Sequence, residues 1–120
     1  MDNRRKYCRI ETCLPLKLFF ADTDFITDTI NISSGGVYCR VDSYVPLMTK
    51  FRIIMFVPIA GKKSHKVECE GIVVRTEPEN PSADVKNYNI AIFFSRMKKS
   101  DRAKVTDYVK KTVQNNPSWN

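Results

Sequence analysis

Two arginines near the start of the chain have the spacing of an anion-binding pattern. Arg5 and Arg9 form R-x-x-x-R, and Arg4 adds a third guanidinium directly before it. A guanidinium is a planar fork that binds phosphate oxygens or the O6/N7 edge of guanine in a bidentate manner, and it also stacks on a purine face. Lysine binds phosphate only as a point charge. In a chain of this composition the pattern arises by chance about once in two sequences, so alone it indicates little.

A second pattern, N-x-S-x-x-G, runs from Asn31 to Gly36. Asn31 offers an amide carbonyl and Ser33 a hydroxyl, while Gly35 and Gly36 provide a main chain that a base or a phosphate can approach closely. A [D/N]-x-S-x-x-G pattern arises by chance in about one of thirty such chains, so it is the more informative of the two. The same residue types also favour tight turns for structural reasons alone.

No constellation typical of a catalytic centre accompanies these patterns. The single histidine, His65, falls in a lysine-rich stretch and is predicted to be a solvated turn residue. The four cysteines contain no C-x-x-C pair, and zinc binding is disfavoured; Cys39 and Cys69 fit small apolar core positions. Cys8 lies between basic residues, which leaves sensitivity to oxidation open. We therefore expect no enzymatic activity, no metal and no cofactor.

The composition predicts one mainly β domain. Valine and isoleucine together number 21, whereas leucine and alanine together number 9, and β-branched residues favour the half-buried surface of a strand. No apolar run approaches the roughly 18 residues of a membrane span, and the basic start is not followed by the apolar segment of a signal peptide. Four cysteines without a secretory signal fit a reducing compartment. We expect a cytoplasmic protein.

The net charge of +7 is concentrated at the two ends of the chain. Residues 1–9 carry +3 and residues 96–111 carry +5, whereas the rest sums to −1. An anionic partner is therefore plausible, but the body of the domain is not a uniformly basic surface.

Hydrophobic periodicity predicts six strands followed by one helix. Gly71 marks a bulge or a close approach inside the fifth strand. Beyond residue 97 the spacing changes to that of an amphipathic helix with Ser100 as its N-cap. The predicted strands cover residues 13–20, 25–32, 37–41, 51–57, 66–75 and 88–94.

With R-x-x-x-R before the first strand and N-x-S-x-x-G between the second and third, the chain resembles the PilZ domain family, the bacterial receptors for cyclic di-GMP. The resemblance covers roughly residues 4–113. It implies a six-stranded antiparallel β-barrel followed by one C-terminal α-helix. The implied division is a flexible basic leader at 1–12, a barrel at 13–95, a helix at 98–114 and a tail at 115–120.

The resemblance also implies the ligand, cyclic di-GMP, and its contacts. An arginine directly before R-x-x-x-R is similar to family members that take an intercalated ligand dimer, so Arg4 is a third candidate, with one or two ligand molecules left open. Arg75, at the end of the fifth strand, is a candidate for the second guanine, although a solvated strand end is the simpler interpretation. The other implied contacts are Arg5, Arg9, Asn31, Ser33, Gly35 and Gly36.

We expect a stand-alone receptor whose leader closes across the barrel on ligand binding and which then acts on an unidentified downstream protein. One alternative is a small basic β-barrel that binds single-stranded nucleic acid. It is disfavoured because the phenylalanines of the strands are predicted to be core and not a stacking surface. The other alternative is a PilZ-like adaptor that binds proteins without nucleotide, which the intact motifs disfavour. The phenylalanines concerned are Phe19, Phe51, Phe56, Phe93 and Phe94.

Overall fold

The computed structural model of the protein describes residues 10–115. Within this span the chain forms seven β-strands followed by one α-helix. The elements are β1 (Ile10–Glu11), β2 (Pro15–Phe20), β3 (Thr23–Ile32), β4 (Gly36–Val41), β5 (Lys50–Ile59), β6 (Lys62–Glu77), β7 (Tyr88–Arg96) and α1 (Lys99–Asn115).

Six of these strands close into an antiparallel barrel. Their order around it is β3-β2-β5-β6-β7-β4, and the pairing of β3 with β4 joins the two ends. The predicted six-stranded barrel with one C-terminal helix is confirmed. The short strand β1 is an addition: it pairs Ile10 with Ile32 and Glu11 with Asn31, on the same edge of β3 that β2 occupies further along. Closure pairs both edges of each long strand and so removes the exposed edges that an open sheet would leave.

The core consists of every second side chain along each strand, the one that faces the barrel interior. Cys39 and Cys69 belong to it, as predicted, and burial raises the pKa of each thiol to about 12. Gly71 lies where the β6–β7 register shifts, and a Cβ there would meet the side chain of Ile92 at 2.4 Å. The largest fully buried side chains are Phe51, Phe94, Ile10, Leu18, Ile32, Ile53, Met55, Ile90 and Ile92.

The prediction that these five strand phenylalanines belong to the core is wrong for three of them. Phe56 is 43% exposed, Phe93 is 48% exposed, and Phe19 is half-buried with the Arg52 guanidinium 5.0 Å from its ring centroid. Phe51 and Phe94 are buried. A barrel has a single interior, so every strand buries only one face, and a continuously apolar run still sends alternate side chains outward.

Because successive strands run in opposite directions, three connections lie at one end of the barrel. They are the β3–β4 turn, the β5–β6 turn and the connection from β7 into α1. The helix packs over this end against β1, β5 and β6. Val105 and Val109 are its buried apolar side chains, and the hydroxyl groups of Thr12 and Tyr108 lie 3.0 Å apart. The helix therefore lies next to the turn that carries the second motif.

Strand β6 begins earlier than the sequence predicts, and this changes the interpretation of His65. The hairpin turn contracts to Ala60 and Gly61, whose φ is 71°. His65 is consequently a strand residue, and its Nε2 lies 2.9 Å from Oδ1 of the buried Asp101 in the first turn of α1. This pair fixes the start of the helix to β6. Since α1 begins at Lys99, Ser100 stands inside the first turn and does not precede it.

Candidate functional site

The N-x-S-x-x-G motif folds into a tight turn that its own serine organises. The Ser33 hydroxyl oxygen accepts hydrogen bonds from the main-chain N–H groups of Gly35 (3.1 Å) and Gly36 (3.2 Å). The Ser33 N–H in turn donates to the Gly36 carbonyl over 2.9 Å. Ser33 is only 2% exposed. Its hydroxyl is therefore occupied by the turn and fixes the orientation of the glycine main chain.

The last glycine of the motif is required by a close approach between strands. Gly36 pairs with Phe93 across β4 and β7. A Cβ at residue 36 would stand 2.2 Å from the carbonyl oxygen of Ile92, which is main chain and cannot rotate away. The Gly35 carbonyl also accepts a hydrogen bond of 2.9 Å from the N–H of Phe94. Strand β7 therefore holds both glycines in place.

The first residue of the motif begins a row of side chains across four strands. Asn31 is opposite Tyr38, Tyr38 is opposite Ala91, and Ala91 is opposite Arg75. Directly opposed residues of antiparallel strands project from the same face of a sheet. Their sequence neighbours Ile32, Val37, Ile90 and Ile92 are buried, so this row faces outward. We call the row Asn31–Tyr38–Ala91–Arg75 the outer row.

The far end of the outer row carries a small polar network. The Tyr38 hydroxyl donates to Oε1 of Glu77 over 2.5 Å, and this hydrogen bond is the main cause that raises the pKa of Tyr38. Arg75 Nη1 lies 4.0 Å from Oε2 of the same carboxylate, and the Arg75 side chain is 66% exposed. A solvated pair at this distance contributes little stability. Arg75 therefore remains available to a ligand on the outer row.

The motif turn is also bonded to the C-terminal helix. Nη1 of Arg102 donates to the carbonyl oxygen of Ser34 over 2.5 Å. Sequence reasoning missed this contact, because Arg102 lies 68 positions away from Ser34. Nothing in the sequence distinguishes Arg102 from the lysines around it. It also missed Tyr38 and Ala91, which only the strand register places beside Asn31.

The structure brings together the candidates of the second motif and Arg75. Asn31 and Arg75 share the outer row, and the turn from Ser33 to Gly36 adjoins its Asn31 end. Three strand spacings separate Asn31 from Arg75, which is about 14 Å. The remaining candidates, Arg4, Arg5 and Arg9, lie outside the described residues.

Among residues 10–115, no cluster of three or more His, Cys, Asp or Glu side chains is suited to a metal ion. The helix in this part of the chain is not apolar enough over a sufficient length to cross a membrane.

Comparison with solved structures identifies relatives of the same fold. Bacillus subtilis inhibitor of motility (MotI/DgrA) superposes with a TM-score of 0.81 at 19% identity, over 96% of this chain and 54% of that one. Escherichia coli YcgR in complex with c-di-GMP gives 0.71 at 12% identity, over 96% and 48%. The PilZ domain of YcgR with c-di-GMP gives 0.66 at 12% identity, over 97% and 98%.

The chain thus spans about half the length of the first two proteins and nearly all of the isolated YcgR domain. A comparison with curated protein sequences gave no match. The family model of the PilZ domain matches residues 3–111, a range that includes both motifs, the whole barrel and most of α1. The chain belongs to the PilZ domain family.

Proposed function

We propose that the protein is a bacterial, cytoplasmic receptor for cyclic di-GMP that has no catalytic activity and acts through a downstream protein. The observation that carries the proposal is the outer row: Asn31 of the motif and Arg75 stand on one outward face, beside a turn whose glycine main chain is held by Ser33. The fold is shared with the YcgR domain, which binds c-di-GMP.

The covalent path of the chain supports participation of the R-x-x-x-R arginines. Ile10 pairs with Ile32, which directly follows Asn31. An extended chain spans at most about 3.6 Å per residue, so Arg5, five positions before Ile10, reaches up to about 18 Å from it. The outer row is about 14 Å long. The leader is therefore long enough for Arg4, Arg5 and Arg9 to reach the row.

The chemistry of the ligand fits these groups. Cyclic di-GMP carries two phosphates and two guanines, and arginine recognises both, as a bidentate donor and as a stacking plane. The amide carbonyl of Asn31 accepts a hydrogen bond from a guanine N–H. Ser33 contributes indirectly, because its hydroxyl fixes the main chain of Gly35 and Gly36 in the turn that adjoins Asn31.

The output passes through α1. A ligand that engages the motif turn acts on the carbonyl of Ser34, which Arg102 holds. The exposed side of the helix carries Lys99, Lys104 and Lys110. Of the two helix carboxylates, Asp107 is exposed and lies 3.2 Å from Nζ of Lys111, and Asp101 is buried against His65. A basic helix face that adjoins the ligand site fits an acidic surface on a downstream protein.

Isothermal titration of cyclic di-GMP into the full chain tests the receptor proposal. We expect saturable binding that Arg5→Ala and Asn31→Ala abolish and that Lys86→Ala leaves unchanged. Lys86 is a matched control because it removes one exposed positive charge from the β6–β7 connection, at the opposite end of the barrel. A stoichiometry of two that falls to one in Arg4→Ala assigns the ligand dimer to Arg4. The absence of any heat of binding at high protein concentration would overturn the proposal.

A second titration distinguishes nucleotide recognition from general anion binding. An oligothymidylate contains phosphates but no guanine, and binding that depends on charge alone falls steeply as salt is raised. We expect no competition between the oligonucleotide and cyclic di-GMP. Tighter binding of the oligonucleotide than of cyclic di-GMP would favour the alternative of a nucleic-acid-binding barrel.

A further inference from the structure

Among residues 10–115, two apolar side chains are exposed next to the outer row. Phe93 is opposite Gly36 on β4 and opposite Ile72 on β6, which places its side chain one step along β7 from the outer row. Phe93 is 48% exposed, and the neighbouring bulge residue Val74 is 55% exposed. Single exposed apolar side chains are ordinary on protein surfaces, but a contiguous group beside polar recognition groups is typical of a binding surface.

The register alternates large and small side chains at this place. Phe93 is opposite Gly36, and Tyr38 is opposite Ala91. Because Ala91 projects only a methyl group, the Tyr38 side chain extends across β7 and reaches Glu77 on β6, where its hydroxyl is bonded. This hydrogen bond holds the Tyr38 ring in position. The result is a surface made of one fixed ring, one methyl group and one exposed phenyl ring.

We propose that Tyr38, Ala91 and Phe93 form a stacking platform for one guanine of the nucleotide. The assignment rests on the proposed function, since it names a contact of that same site. The occupant follows from the surroundings: Asn31 stands beside Tyr38 at one edge, and the exposed Arg75 beside Ala91 at the other. An apolar surface between an amide and a guanidinium fits a purine, which is apolar on its faces and polar around its edge.

The loss of affinity expected on removing one ring of the platform is large enough to measure. Stacking of a base on an aromatic side chain contributes about 1–3 kcal/mol by alanine substitution, which corresponds to roughly 5- to 150-fold in affinity. We therefore expect Phe93→Ala to weaken cyclic di-GMP binding about tenfold and Phe93→Leu to weaken it less. Ala91→Leu adds bulk on the outward face beside Tyr38 and should weaken binding at least as much as Phe93→Ala.

The experiment is a calorimetric titration of cyclic di-GMP into each variant, with proton NMR of the guanine H8 as a second readout. A stacked base shows an upfield ring-current shift of H8 on binding, and we expect Phe93→Ala to reduce it. Phe56→Ala is the matched control, because Phe56 is 43% exposed on β5, and β5 does not contribute to the outer row. A thermal melt of each variant verifies the fold.

The outcomes separate this assignment from the function on which it rests. One outcome overturns the platform but leaves the receptor function standing. In that outcome cyclic di-GMP binds the unmodified protein and does not bind Arg5→Ala, while Phe93→Ala and Ala91→Leu bind it with the affinity of the unmodified protein. If the unmodified protein shows no binding, the receptor function is overturned and the platform with it. Equal losses in Phe93→Ala and Phe56→Ala would also overturn the platform, because the effect would then not depend on position.

Discussion

Arg102 of the helix donates from Nη1 to the carbonyl oxygen of Ser34, over 2.5 Å, in the middle of the N-x-S-x-x-G turn. The donor is charged and half-buried, and the acceptor is main chain. Hydrogen bonds of charged groups contribute more than neutral ones, about 1.5–3 kcal/mol. One bond therefore joins the proposed ligand site to the proposed output surface.

Arg102→Ala should lower the free energy of unfolding by about 1–2 kcal/mol, because the Ser34 carbonyl loses its partner. Urea denaturation measures this. Lys104→Ala, an exposed position on the same helix, is the control and should stay within about 0.5 kcal/mol of the parent. Hydrogen exchange should show that cyclic di-GMP alters protection of α1 in the parent but not in Arg102→Ala. Retained coupling in Arg102→Ala would contradict the proposed route.

Gly36→Ala should destabilise the barrel by about 2 kcal/mol or more, because its Cβ would stand 2.2 Å from the Ile92 carbonyl oxygen and the two strands must separate. Thermal or urea unfolding measures the loss. Ser34→Ala lies in the same turn and keeps the main-chain carbonyl that Arg102 binds, so it is the control and should change stability little. A Gly36→Ala variant as stable as the parent would show that β4 and β7 are not this close.

Ser33→Ala and Asn31→Ala should separate a positioning role from a contact role. Ser33→Ala removes the acceptor of two main-chain N–H groups, so we expect a loss of about 1–3 kcal/mol in stability together with weaker binding. Asn31→Ala should abolish binding with a smaller change in stability, because Asn31 is half-buried on the outer row. Calorimetric titration and urea unfolding of both variants check this. Equal stability losses in the two variants would contradict the assigned roles.

The buried thiol of Cys39 should make the protein less stable in alkali. Its pKa is raised from 9.0 to about 12 by burial, so the thiol ionises in the unfolded chain before it does in the folded one. As pH rises above 9 the unfolded state binds fewer protons, and stability falls by about 1.4 kcal/mol between pH 8 and pH 10 from this group.

Urea unfolding at the two pH values measures this, and Cys39→Ala should lose about that much less stability than the parent over the interval. Cys13→Ala is the control, because Cys13 is exposed, and its pH dependence should match the parent. Identical pH dependence in Cys39→Ala and the parent would contradict the effect of burial.

The sequence allowed prediction of the strands and the helix because both depend on local periodicity, whereas closure into a barrel was implied by the family resemblance. Alternation located all six long strands, and the change of spacing near residue 97 located α1. Prediction of the strand failed at Lys63 and His65. A polar hairpin outside the core has no apolar alternation, even though its main chain is paired. Prediction of burial failed at Phe93, because a continuously apolar run does not show which face of the strand is outward.

The candidate site was predictable only in part, for the same physical reason. Asn31 and Gly36 lie within one short motif, so composition and order identify them. The alignment of Asn31 with Arg75 depends on three successive strand registers and on the bulge at Val74. The contact of Arg102 depends on how α1 packs over the barrel end. None of these long-range relations leaves a periodic signal in the chain.

The pairing of Ile10 with Ile32 has a consequence for how the leader would act. Residues 1–9 are covalently attached to Ile10, so under the proposed function Arg5 and Arg9 would meet the ligand as an intramolecular group. Short tethers give effective concentrations in the millimolar range. A separate peptide with residues 1–9, added to a chain that begins at Ile10, would have to be supplied at about that concentration to restore binding. Strand β1, two residues long, thus sets the local concentration of the arginines.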